Sequence, residues 1–574
     1  IVFRESARTN HVLSQNREFV YHSGRQQAAM YKEDLEANFR TPHLYGFELL
    51  DLHDYLGQGT ALVGILDPFW EEKGYVSKEE WKQFCSETVV LLRLKQYTYV
   101  QGEELNARVE LCHFGPYPLR QQTIWWKITD SRGMVVENGA FEAMDIPIGK
   151  NTEAGTLQVS LEGMQAPMEY TVEAGIGDSG ISNTWKIWIY KKPEENTASE
   201  YLRKREEKPT PEDSCLYTRS WKEACRGLRE GKRVLFSPDP ASLSYDCPPL
   251  RFRPVFWNAQ MGPTWGRGMG MICDSSHPAL KGFPTEASGG WQWERIVEGA
   301  RGFQMGALPE DVEMIVQPID EWNRNYKLGM IFSCRVGKGK LLAVTADLEH
   351  EWKRRPEAAA LFKSLWDYVS SGEFQPRAAV TEEALRAAYF PNYGMEQLGI
   401  QAVWEENPQE DLSAVLDGSA DTFIRLEGGH PYHIRLTADR PVKLSGLLYM
   451  PRQNQREHEG DIRTYRVEYR CGGEWKEAAA GRLPSSFAPK PIAFGRTVTA
   501  REVRLTVLDG FGGTSVSFWK EERDGWYQTK KDVQDRVLSI AVLAFMLEEE
   551  VKERETAGLA EEKTITSATK EIDN

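Results

Sequence analysis

The sequence predicts a multidomain chain of mixed class, α/β plus all-β, and three observations carry that prediction. At 574 residues it is too long for one core, and at roughly 150 residues per domain about four are expected. Its apolar pattern switches repeatedly between helix-and-strand segments and strict alternation. Its composition, 41% hydrophobic with 27% charged residues, is that of an ordinary globular protein able to fill several cores.

The first segment, residues 1–88, has an α/β rhythm. Residues 1–44 read mainly as helix, because QQAAMYKEDLEANFRTP sets Ala29, Met30, Leu35 and Phe39 near 3.6-residue spacing before Pro42 stops it. FELLDL then reads as a short buried strand, followed by a loop with Gly57, Gly59 and Gly64. A second helix is expected in SKEEWKQFCSET, where Ser77 and Glu80 have the spacing of a capping box. Helix, strand, loop and helix suit a barrel or an open parallel sheet, although about 90 residues fall short of the ~250 of a closed eight-stranded barrel.

Residues 89–192 alternate instead. TYVQGEELNARVELCHF, QTIWWKITD, LQVSLEG, MEYTVEAGI and NTWKIWIY, parted by the turns SRG and GDSG, predict an immunoglobulin-like β-sandwich. The polar stretch KKPEENTASEYLRKREEKPTPED supplies a linker over 193–213. From 214 to 375 the helix SWKEACRGLREG, the strand RVLFSPDP, the runs EMIVQPI and LGMIFSCRV, and the helix PEAAALFKSLWDYVSS predict a doubly wound α/β domain. GKGK within it lacks the spacing of a phosphate loop and is read as a hairpin turn. Residues 376–548 become strand-rich again with the cadence of a jelly roll, and 549–574 are charged, aperiodic and expected to be disordered.

Charge and composition exclude several functions. A formal charge of −15 repels nucleic acid, and no basic stripe offsets it. No window approaches the ~18 apolar residues that span a bilayer, so neither nucleic acid nor membrane is expected as a partner. The chain opens with Ile1 rather than Met, which leaves its start and any targeting segment open. The eight cysteines show no CxxC pair and no ligand-like spacing to the ten histidines; no metal site or cofactor is expected, and reduced thiols tilt the reading toward the cytoplasm over a secreted or periplasmic setting. A homo-oligomer stays open.

At GFELLDLHDY followed by GQGTALVGILDPFW the chain resembles the closing strand of the catalytic barrel in glycoside hydrolase family 2, the β-galactosidase and β-glucuronidase group. It is also similar to a multidomain branch of that family, in which the barrel is followed by a β-sandwich, an amidotransferase-like (flavodoxin-like) α/β domain and a discoidin-like module. The resemblance implies that residues 1–88 are the C-terminal part of a (β/α)8 barrel. It also implies a parent that hydrolyses a β-linked sugar with retention, through two glutamates roughly 5 Å apart. Leu50, Asp51 and Asp54 occupy the family's Trp-Asp-x-x-Asp places, so the stacking aromatic is missing. Asp51, His53, Asp54 and Gln58 become candidates for contact with substrate, with Trp70 a weaker one that reads as packing an outer helix layer. For Asp51 a backbone-holding role stands equally open, and for Asp54 a loop-capping role is preferred. Both catalytic carboxylates are expected upstream of Ile1. Glu5 lacks the glycine turn that follows a nucleophile strand, and Glu33 and Glu36 lie on a helix.

LDGSADTF, LLYMPRQNQREHEGDIRTYRVEYR and AREVRLTV resemble the discoidin, or coagulation factor type C, fold that family 32 carbohydrate-binding modules share. The resemblance implies a galactose-binding-like jelly roll that binds carbohydrate on loops at one end. Arg452, Gln453 and Asn454 are its candidate sugar contacts, with a structural corner as the competing reading for PRQ. Phe518, Trp519, Trp526 and Tyr527 crowd one further loop as a sugar platform or a cover for the sandwich. Asp417 and Thr422 fit the loop that holds calcium in relatives, but Val542 stands where an acid is expected, so no metal is assigned. Two functions follow: the C-terminal part of a retaining exo-acting β-glycosidase, or a non-catalytic carbohydrate-binding or scaffold protein.

Overall fold

The computed structural model describes residues 4–547 except 5–6, 9, 45, 57–61, 207–214, 241–242, 244–246, 254–267, 307, 322–324, 383, 386–397, 419–421, 453–457, 485–489, 513, 518–528 and 533–535. The expected tail over 549–574 and Glu5 lie outside the described residues. The chain divides into two compact units: Ile1–Ser242 with Pro249–Trp257 and Gly266–Ala384, and Leu243–Pro248 with Asn258–Trp265 and Leu385–Asn574.

The first unit begins with the helix Asn16–Arg40, whose Leu35 and Phe39 pack with Phe84, Val89, Leu91 and Cys112 of the following helix and sandwich strands. Gly24 on this helix meets the Tyr75 ring so closely that a Cβ there would lie 2.2 Å from it. The short helix Lys78–Phe84 opens with both halves of the Ser77–Glu80 capping box.

The barrel strand expected at FELLDL is corrected. The described residues before Thr88 hold no strand, only the isolated bridges His53–Leu66, parallel, and Leu66–Glu72, antiparallel. A strand must hand its N–H and C=O groups to a neighbour; here the Asp54 N–H donates to Leu66 O and the Leu66 N–H to Leu52 O, and the pairing goes no further. The chain turns instead, with Asp51 in the left-handed region at φ 61°. Leu50 is left 72% exposed.

A β-sandwich follows. One sheet joins Thr88–Arg93, Glu104–His113 and Gly149–Ser160; the other joins Thr98–Val100, Ile181–Tyr190, Met168–Ile176, Ile124–Asp130 and Val135–Ala140 in that order. Strict alternation in ELNARVEL buries Leu105, Ala107 and Val109 between the sheets.

The α/β segment forms a seven-stranded sheet of mixed direction, and the doubly wound, flavodoxin-like arrangement expected for it is corrected. Cys215–Thr218, Arg233–Phe236 and Gly339–Val344 run parallel, Gly339–Val344, Ile331–Val336, Glu313–Pro318 and Met271–Cys273 pair antiparallel, and Ala379–Val380 pairs parallel with Ile331–Val336 as the seventh strand. GKGK is the reason for the switch: it is the tight turn of the hairpin Ile331–Val336 to Gly339–Val344, with Gly337 at φ 56°. The helix Pro356–Ser370 buries Leu361, Phe362, Leu365 and Val369 in the same core. The linker is corrected in part, since Ala198–Glu206 is a helix. The Glu200 N–H donates to Thr197 Oγ1 at 3.1 Å, and Tyr201 sits against Trp352 at 5.7 Å between ring centroids, so docking overrides a polar composition.

Among the described residues of the second unit, every strand pair is antiparallel. Its main sheet runs Gln401–Trp404, Tyr432–Met450, Lys490–Gly510, Ile462–Cys471, Glu474–Arg482, with Val542–Leu547 also pairing with Tyr432–Met450. Ile424–Glu427 pairs with Val537–Ile540 beside it. Tyr432, Ile434 and Leu436 alternate inward to a core shared with Tyr449, Leu505 and Ile540.

Candidate functional site

The residues singled out in the first unit are largely occupied with holding the chain. Asp54 Oδ1 accepts from the Gly64 N–H at 2.9 Å and from Lys73 Nζ at 2.7 Å, while Lys73 and the Tyr75 hydroxyl both donate to Gly64 O. Gly64 is required there, because a Cβ would fall 2.3 Å from the His53 backbone. The His53 ring lies 4.4 Å from Trp70, and Trp70 is 61% exposed rather than packed under a helix layer. Gln58 lies outside the described residues. Glu33 accepts from the Tyr97 hydroxyl at 2.7 Å, and Glu36 is enclosed by Lys32, Arg40, Asn183 and Trp185. Both helix carboxylates are thus spent on internal contacts.

A denser constellation sits at one end of the second unit's sandwich, where Tyr432–Met450 stops and Ile462–Cys471 starts. Arg452 lies over Phe423, its guanidinium carbon 4.0 Å from the ring centroid. Burial pushes its pKa down, and the neighbouring Arg425 adds to that push. Arg425 in turn pairs with Glu427 and, at 3.8 Å, with Glu459. His458 Nδ1 and Asp461 Oδ2 are 2.7 Å apart, a pair three residues apart in the chain. Arg463 grips Asp509 through two contacts, at 2.7 and 2.5 Å.

The backbone beneath is fixed from several sides. The Ile462 N–H donates to the Tyr449 hydroxyl at 3.0 Å, and Tyr449 is fully buried. Gly460 stands at φ 81°, and a Cβ on it would meet Ser539 N at 2.9 Å. Lys490 lies 5.5 Å from the Tyr449 ring centroid; burial holds its pKa down at about 8 against the opposing pull of Asp461. Guanidinium, carboxylate and imidazole groups around an aromatic face can donate to and accept from vicinal hydroxyls while the ring covers a C–H face.

Of the sequence candidates, Arg452 belongs to this constellation, and Gln453, Asn454, Phe518, Trp519, Trp526 and Tyr527 lie outside the described residues. Sequence reasoning missed Phe423, Arg425, His458, Glu459, Asp461 and Lys490. The polar run REHEGDI between two strands was the available signal for His458, Glu459 and Asp461. In the DG loop Thr422 Oγ1 donates to Asp417 at 2.7–2.9 Å. Among the described residues no group of three or more His, Cys, Asp or Glu is placed to hold a metal ion, and no helix is long and apolar enough to cross a membrane.

Residues 399–522 match the family described as F5/8 type C domain. Residues 103–191 and 216–390 match two families described as domains of unknown function, DUF8488 and DUF8487. No curated protein matches the chain. Among solved structures, the family 32 carbohydrate-binding module of C. perfringens NanJ in complex with galactose is 18% identical, covering 26% of this chain and 93% of that one at a TM-score of 0.20. A Clostridium perfringens module in complex with GalNAc-β-1,3-galactose is 17% identical, covering 26% and 96% at 0.20. The family 32 module of Streptococcus pneumoniae EndoD is 12% identical, covering 26% and 97% at 0.20. At those TM-scores the structural likenesses carry no weight, and the F5/8 type C match is what bears on the second unit.

Proposed function

We propose that this chain acts by binding carbohydrate through its C-terminal module, without glycosidase catalysis by the residues present. The observation that carries the reading is Arg452 lying over Phe423 at a loop end of a module matched by the F5/8 type C family, beside Arg425, Glu459 and the His458–Asp461 pair. The test is a glycan array on the full chain followed by titration calorimetry with the best ligand, for the parent, Arg452→Ala and Phe423→Ala. Loss of binding at an unchanged melting temperature supports the reading. Absence of any glycan binding, or binding indifferent to both substitutions, retires it.

A second reading keeps residues 1–88 as a wall of a family 2 glycosidase. What favours it is the row of exposed apolar side chains, Phe47, Leu50, Tyr55, Leu56, Phe69 and Trp70, bared as a segment that normally lies against a neighbour would be. Reading the coding frame upstream of Ile1 tests it. Two strand-end glutamates in a barrel pattern support the reading, and their absence ends it.

A further inference from the structure

A cleft of about 490 Å³ opens on the first unit, within the size range of small-molecule sites. Tyr21 and Arg25 of the helix Asn16–Arg40 line it together with Tyr75, Val76 and Ser288. Ser288 Oγ lies 2.7 Å from His22 Nδ1, a hydrogen bond between residues 266 apart in the chain. The Tyr21 ring meets the His22 ring edge-on at 5.2 Å. The loop is pinned on both sides of the serine, since the Cys273 N–H donates to Ala287 O at 2.8 Å and the Gly289 N–H to Glu286 O at 3.1 Å. A hydroxyl on the cleft wall and an imidazole are thus held in contact, the arrangement that activates a serine as a nucleophile.

The surroundings suit that chemistry. Burial pushes the His22 pKa down, so the ring is neutral at pH 7 and Nδ1 can take the hydroxyl proton in the tautomer protonated at Nε2. Glu18, one turn earlier on the same helix face, pulls the other way and favours the imidazolium once it forms. Arg25 Nη1 donates to Tyr75 O at 2.8 Å and to Glu80 at 3.0 Å, two contacts for a guanidinium with five N–H groups. Among the described residues the Ser288 N–H has no acceptor. Both are donors that a developing oxyanion in the cleft can use. The charges around the cleft cancel in the pairs Arg25–Glu80 and Lys186–Glu286, with Glu72 left over, a balance that favours a neutral substrate over an anionic one.

We propose that Ser288 and His22 form a hydrolytic pair that cleaves a neutral carboxylic ester seated in this cleft. Ser288 Oγ bonds to the carbonyl carbon as its proton passes to His22 Nδ1; the ester C–O bond then breaks, and the leaving alcohol takes that proton. Water attacks the acyl-serine and gives a proton to His22, which returns it to Ser288 Oγ as the carboxylic acid departs. The pair is independent of the carbohydrate reading, since it uses no residue of the second unit.

Turnover of 4-nitrophenyl acetate by the full chain, and labelling with a fluorophosphonate probe followed by peptide mass mapping, test it. The probe should modify Ser288, and the labelled chain should lose its turnover. His22→Gln still offers the serine a hydrogen-bonding partner but cannot take up its proton, so kcat/KM should fall about 100-fold or more at an unchanged melting temperature. A merely structural bond would not show that loss. Ser288→Ala should lose at least as much. A parent chain unlabelled at Ser288, turnover that survives labelling, or a His22→Gln variant as active as the parent would overturn the proposal.

Discussion

Asn183 and Glu36 meet at 2.8 Å, the amide nitrogen donating to a carboxylate oxygen of a side chain only 1% exposed. The same amide donates to Val90 O, while Trp185 Nε1 donates to the second Glu36 oxygen at 2.9 Å and Arg40 and Lys32 close the ring. The Glu36 carboxylate therefore ties the N-terminal helix to the strand Ile181–Tyr190, and Asn183 carries the link on to Thr88–Arg93 in the other sheet. Half a barrel exposed at its edges would be lost early to proteases; a helix anchored this way should not be.

Removing that acid strands two cations and two donors in a buried place. Glu36→Ala should lower the stability of the first unit by about 3–5 kcal/mol, the cost of breaking a buried ion pair from one side. Glu36→Gln, which keeps an acceptor, should cost less. Urea unfolding followed by Trp fluorescence measures both, and a loss under ~1 kcal/mol for the alanine variant would mean that the helix is held elsewhere.

Asp54 offers a contrast between structure and binding. Asp54→Asn removes the charge facing Lys73 but keeps an oxygen for the Gly64 N–H. A loss of about 1.5–3 kcal/mol is expected, the worth of a hydrogen bond to a charged group, with glycan binding unchanged. Weakened glycan binding in a stably folded variant would return Asp54 to the list of sugar contacts.

The capping box gives a smaller effect. Ser77→Ala removes the hydroxyl that accepts the Glu80 N–H at 3.1 Å, and about 1 kcal/mol should be lost. Amide exchange over residues 78–84 is the sensitive readout, and protection there equal to that of the parent would show that tertiary packing alone forms this helix.

Lys490 predicts a pH dependence. In the folded chain burial holds it at about 8, and in the unfolded chain it keeps its proton to about 10.4. Below pH 8 both states are charged and the folded one carries the whole burial cost. Between about 8 and 10.4 the unfolded state binds more protons, so the stability contributed through this residue rises with pH. Lys490→Met should therefore be more stable than the parent at pH 7, by a margin that shrinks toward pH 10. Denaturation midpoints of the two proteins at both pH values measure it, and a constant or widening margin would contradict the assignment.

These residues also mark what the sequence could and could not reveal. Period-two runs such as ELNARVEL and YHIRLTA name their own buried faces, and the Ser77–Glu80 spacing announces its cap, because each signal is complete within a few residues. FELLDL misled because an apolar run states a wish to be buried and says nothing of whether a partner strand exists. The helix Ala198–Glu206 was hidden for the opposite reason, its order coming from Trp352 far along the chain. The candidate site is of this second kind. PRQ flagged Arg452, but its ring is Phe423 and its neighbours come from Arg425 and Glu459, joined only once the strands have paired.

Gly24 is the poorest helix former on Asn16–Arg40, at a cost of about 0.5–1 kcal/mol against alanine, and it lies where the Tyr75 ring presses in. The notch thus belongs to the loop as much as to the helix. A single added methyl is the smallest lesion that would prise the two apart, so what the helix can tolerate at that point is dictated by a residue outside it.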